Sequence, residues 1–192
     1  MLRFRSLVFL AISVASVFLV AASSALAAGP ADLASLRQGQ TIGSYTVQAV
    51  YLDPSGIPKG ARFMHERGMP VDVLFFASVP QISLYFRTPP NTQRGESHTL
   101  EHLLLGKGKA GRKLNTLMPM RMGDYTAGTH SDITNYQMSS AAGPTEFYEL
   151  AETFLRALIR PDFTDEEVRR EVAHYSVAED SAALKLEEKG TV

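Results

Sequence analysis

The sequence predicts an α+β fold: helices packed on a mainly antiparallel sheet. Three observations carry this. Four short runs rich in β-formers lie between residues 45 and 87, separated by turn residues. A long run after Pro144 repeats its apolar residues at helical spacing. The order is strand block, helix, strand, helix, helix, without the strand–helix alternation of a parallel sheet.

Taken in order, Tyr45–Tyr51 (YTVQAVY) alternates loosely and ends at the turn residues Asp53-Pro54-Ser55-Gly56. Ala61–His65, Val71–Phe76 and Gln81–Arg87 are the next strands of an antiparallel meander. Ser97–Leu105 reads as a helix stopped by Gly106 and Gly108, and Gly106–Lys113 as a solvated basic loop. That loop brushes against a phosphate-binding pattern but lacks the Lys-Ser/Thr after its last glycine. Residues 124–140 read as strand and turn. Pro144 suits a first helical position, Phe147, Leu150, Phe154, Leu155, Leu158 and Ile159 form the apolar stripe, and Pro161 marks its end. Thr164-Asp165-Glu166-Glu167 is a capping box opening a helix to about Tyr175.

With 192 residues, a net charge of −1 and no cysteine, the chain is one domain. The charge excludes a globally basic nucleic-acid binder. The absence of cysteine excludes disulfide scaffolds, thiolate metal sites and a Cys nucleophile. Residues 1–27 have the charged, apolar and small-residue order of a secretory signal peptide, with cleavage expected after Ala27. An uncleaved anchor is the alternative. Cleavage leaves a chain of net charge −3, periplasmic or secreted, without stable membrane association. Residues 28–40 are a polar lead-in.

The chemistry concentrates in His98-Thr99-Leu100-Glu101-His102. On a helix, positions i, i+3 and i+4 share a face, so two imidazoles can meet one metal ion with a carboxylate beside them. Leu100, Leu103 and Leu104 are expected to face the core. Neutral imidazoles suit Zn²⁺, which lowers the pKa of a bound water; a carboxylate then takes the proton as hydroxide attacks an amide. A chance H-x-x-E-H match is expected in roughly 1% of chains of this composition. The alternative is a solvated helix face with two ordinary histidines. Met118, Met120 and Met122 are read as packing residues, with a copper site as the alternative. His65 and His130 are read as ordinary histidines, and His174 as a possible pair for Glu171 on their helix.

The inverted zinc motif resembles that of the pitrilysin/insulinase metallopeptidases, and several stretches resemble their presequence-protease branch. These are Gly43–Val47, Gly60–Phe63, Phe86-Arg87-Thr88-Pro89-Pro90 before the motif, His98–Leu104, Asp132–Tyr136, and the run from Glu179-Asp180 to Lys189-Gly190-Thr191-Val192. The resemblance covers most of residues 40–192. It implies an incomplete N-terminal metallopeptidase domain over 41–192. It further implies a zinc-dependent endopeptidase acting on peptides or unfolded polypeptides, with His98 and His102 as ligands and Glu101 as general base. The family's third ligand is a downstream Glu, expected just beyond Val192. Glu179 and Glu171 are in-chain alternatives, read on balance as surface carboxylates. Thr126-Ala127 takes the place of a substrate-holding Asn and small residue. The resemblance also implies a second homologous half, or a partner chain, that completes the enzyme. Without these the alternative is a catalytically incomplete fragment or a binding and assembly partner.

Overall fold

The computed structural model describes residues 15–18, 33–75, 77–92, 94–180 and 183–190. The cleavage site after Ala27 and the start of the lead-in lie outside them. The fold is α+β, as the order of elements predicts. An eight-stranded sheet has the order β2-β3-β4-β5-β1-β6-β8-β7. Its strands are β1 (Ala15–Phe18), β2 (Thr41–Ile42), β3 (Tyr45–Leu52), β4 (Pro58–His65), β5 (Pro70–Leu74), β6 (Gln81–Arg87), β7 (Gly123–Thr129) and β8 (Ile133–Ser140). All neighbours are antiparallel except β1 and β5. The meander therefore holds for β2–β5, but β6 does not sit beside β5. The apolar N-terminal segment occupies that slot through β1, with Val17 opposite Val71 on one side and Leu84 on the other. Cleavage after Ala27 would remove this strand.

Among the described residues the helices that accompany the sheet are α1 (Glu96–Gly106), α2 (Gly108–Met120), α3 (Pro144–Ile159) and α4 (Asp165–Val172). Cross-strand partners Ile82–Met138 and Leu84–Tyr136 present one buried sheet face. Leu104 and Leu105 of α1, Leu114 and Met118 of α2, and Phe147, Leu150, Phe154 and Leu158 of α3 complete the core. The α3 stripe is the one its sequence spacing predicts, except that Ile159 is 68% exposed at the helix end. Among the described residues, no helix is long and apolar enough to cross a membrane.

Several expectations need correction. The basic loop over Gly106–Lys113 is mostly helix, because α2 begins at Gly108. Two glycines lowered its apparent helix propensity, yet each is needed for close packing. Gly108 has φ +68°, and a Cβ there would meet Asp162 and the Phe163 amide, the latter at 2.9 Å. A Cβ on Gly111 would come within 3.2 Å of the Leu105 carbonyl oxygen, so glycine lets α2 approach α1. Leu100 is exposed, and Leu103–Leu105 are the buried residues of α1. Of the three methionines only Met118 packs; Met120 and Met122 are exposed. The helix expected to reach Tyr175 stops at Val172, and His174–Asp180 instead forms β9, paired with β10 (Ala183–Lys189).

The capping box is present in full: Glu167 N–H donates to Thr164 Oγ1, and Thr164 N–H donates to Glu167 Oε2. Glu167 does more than cap. Its Oε1 also accepts from the Gly108 amide at 3.1 Å and from Arg112, tying α4 to the start of α2. The Thr164 amide first, with Arg112, Gly108 and the Thr164 hydroxyl, outweighs the penalty of burial and holds the carboxyl down to about 2, against an ordinary 4.5. The native state therefore binds fewer protons here than the unfolded chain. This contribution is complete above pH 4.5 and fades as pH falls towards 2. In Glu167→Gln the acid limb of the stability curve between those values should be shallower, read as denaturant midpoint against pH. An unchanged slope would remove Glu167 from this role.

Candidate functional site

The motif helix α1 is positioned by its apolar side. Leu103, Leu104 and Leu105 are buried, Leu105 on the same stripe as the motif, while His98, Glu101 and His102 stay half-buried. Its first turn carries Glu96, which suits the positive end of the helix dipole and accepts a hydrogen bond from Thr92. The i, i+4 spacing brings the two imidazoles together as expected. Their ring centroids lie 4.7 Å apart, edge to face at 88°.

Each of Glu101 and His102 is held by a side chain from another element. Thr129, at the end of β7, donates its hydroxyl to Glu101 Oε2 at 2.7 Å. Behind it lies the buried Thr134 hydroxyl, 3.4 Å away, itself 2.8 Å from the Thr88 hydroxyl. This chain of threonines fixes the carboxylate against the sheet. Tyr136, beneath the site, has its phenol pushed up by burial and then by the Glu101 charge, so it stays neutral.

His102 Nδ1 is 2.7 Å from Glu171 Oε1. Glu171 comes from α4 and is 4% exposed, which overturns its reading as a surface carboxylate. Burial pushes its carboxyl up, but hydrogen bonds from Lys107 and His102 more than offset this, and it lies below the ordinary carboxylate range. An ionised carboxylate only accepts hydrogen bonds. The ring nitrogen that faces this carboxylate, Nδ1, is therefore the donor of the pair, and in a neutral ring Nε2 then carries the lone pair. The second oxygen of Glu171 meets Lys107 Nζ at 3.0 Å. Both oxygens of Glu171 are thus engaged, one by His102 and one by Lys107. His174 does not pair with it; its Nδ1 lies 3.1 Å from the Arg170 carbonyl oxygen. The side chain of Glu179, in β9, lies outside the described residues.

These groups open into a cleft of about 310 Å³, lined by Glu101, His102, Leu105, Lys107, Tyr125, Ala127 and Glu171, with Gly106. Ala127 and its exposed neighbour Thr126 belong to β7, the last strand of the sheet. Ala127 lines the cleft; Thr126 points away from it by strand alternation. Among the described residues, no three His, Asp or Glu side chains are grouped so as to hold a metal ion.

Lys107, Thr129 and Tyr125 were not singled out by sequence reasoning. Lys107 had a readable signal. Glu167 and Glu171 lie four apart on one face of α4, and a run of basic residues follows the motif helix. The two pair across the α1–α2 junction, through Glu171 with Lys107 and Glu167 with Arg112. No protein-family model matches the chain, and no curated protein matches it.

Proposed function

We propose that this cleft is the zinc-dependent hydrolytic centre of a peptidase acting on peptides or unfolded polypeptides. The observation that carries the reading is the Glu171–His102 pair beside His98 and Glu101. A buried carboxylate that fixes Nδ1–H on one histidine of an i, i+4 pair is the support a metal-binding imidazole needs. The donor set fits zinc, with His98 and His102 as two nitrogen ligands. The third, acidic ligand is Glu179 or a residue of a partner chain. When bound, zinc supplies Lewis acidity and a water of lowered pKa.

The chain's own residues do the rest. Glu101, held at Oε2 by Thr129, offers Oε1 as the base that takes the proton from water. Beside it β7 offers an edge strand, so an extended peptide can add to the sheet at Thr126 and Ala127, with its amide over the cleft. Lys107, paired with Glu171, lines the same cleft. The charged, apolar and small-residue order of residues 1–27 supports a periplasmic or secreted setting.

The full engagement of Glu171 favours a second reading, a binding or assembly partner that lacks a third ligand. Hydrolysis of a quenched-fluorescence unstructured peptide by the native protein separates the two. The expected result is activity lost on chelation and restored by zinc. Zinc binding without any peptide hydrolysis would favour the partner reading.

A further inference from the structure

We infer that Lys107 is a positioning residue that acts through Glu171 to set which ring nitrogen of His102 carries the proton. Three atoms line up across three elements: Lys107 Nζ to Glu171 Oε2 at 3.0 Å, and Glu171 Oε1 to His102 Nδ1 at 2.7 Å. A carboxylate gripped at one oxygen only can turn about its last torsion. Gripped at both, it presents Oε1 to Nδ1 in a fixed direction.

Both ends of this chain of contacts stand on rigid backbone. Lys107 is the single extended residue between α1 and α2, and its amide donates to the Leu103 carbonyl at 3.1 Å. The next residue, Gly108, is held by Glu167 and packed against Phe163. Glu171 projects from the capped helix α4. Three nearby arginines are committed elsewhere, Arg112 to Glu167, and Arg169 and Arg170 to Glu166. None of them substitutes for Lys107. Its side chain is 37% exposed while that of Glu171 is 5% exposed, so Lys107 reaches in from the cleft wall to a buried partner.

The inference rests on the zinc reading for one of its two readouts only. The first is the tautomer of His102, from long-range ¹H–¹⁵N correlation spectra of the metal-free full chain with neutral imidazoles. The unsubstituted protein should show the Nδ1–H form. Lys107→Met should show a mixture with Nε2–H, and Lys107→Arg should restore Nδ1–H. The second readout is zinc affinity against a competing chelator, expected to weaken about 10-fold in Lys107→Met, at the lower end for loss of support around a ligand. Lys107→Leu, which also removes the donor, serves if the Met variant does not fold, and should shift the tautomer in the same direction. A purely structural ion pair would lower stability and leave the tautomer unmoved. An unchanged Nδ1–H form in Lys107→Met or Lys107→Leu overturns the inference. If the unsubstituted protein binds no zinc, the peptidase reading falls, while the tautomer comparison still decides the role of Lys107.

Discussion

Glu101→Gln should abolish peptide hydrolysis while leaving zinc affinity within about threefold. The amide keeps the shape of the carboxylate and can still accept from Thr129, so the local structure survives. What it loses is the ability to take a proton. A positioned general base contributes on the order of 10²- to 10⁴-fold, and the loss should appear in kcat with KM little changed. The separation is informative because Glu101 and His102 are adjacent in sequence yet held by different partners, Thr129 and Glu171. Steady-state hydrolysis by the native protein and its variant, with metal content measured on the same samples, checks it. A variant that still cuts peptides at the normal rate would remove Glu101 from the mechanism.

The second large effect is expected at Glu171. Glu171→Ala removes the partner of His102 Nδ1 and strands Lys107 beside a half-apolar cleft. Zinc affinity should fall about 10- to 100-fold. Folding stability should drop by about 1–3 kcal/mol, the range for a buried hydrogen-bonded group; the exposure of Lys107 keeps it from more. Glu171→Gln should keep most of the stability, since the amide oxygen still accepts, and lose part of the metal affinity. Chelator competition and denaturant unfolding report the two effects separately. Unchanged zinc affinity in Glu171→Ala would mean that His102 needs no support from α4.

The elements that sequence patterning placed well are those whose pattern and packing agree. Gln81–Arg87 is a strand with the bounds expected for it, and Pro144 opens α3 with its stripe turned to the core. The capping box at Thr164 is a local device and was legible as one. The misreadings all arise where distant residues decide. Gly108 and Gly111 look like loop residues until the close approach of α1, Asp162 and Phe163 is known. The sequence Asp165-Glu166-Glu167-Val168-Arg169-Arg170-Glu171 looks like a solvated helix, but Glu171 is buried because Lys107 and His102 stand opposite it. The apolar N-terminal run carries the pattern of a signal peptide. Nothing in that pattern announces a strand between β5 and β6.

The candidate site divides in the same way. Two imidazoles and a carboxylate on one helix follow from 3.6-residue periodicity, and the structure places them together. What holds them comes from β7, α4 and the α1–α2 junction; Thr129 is 28 residues from Glu101, and Glu171 is 69 residues from His102. No local pattern encodes Thr129 as a partner; only the charge pattern linking the basic run to α4 was legible.

The central claim is that His98 and His102 together bind zinc through ring nitrogens. X-ray absorption at the zinc edge of the native protein tests it most directly, beside the His98→Ala/His102→Ala double variant. The account expects imidazole scattering from two histidines at about 2.0–2.1 Å, and its loss in the double variant. Zinc bound without histidine nitrogen, or bound equally by the double variant, would contradict it.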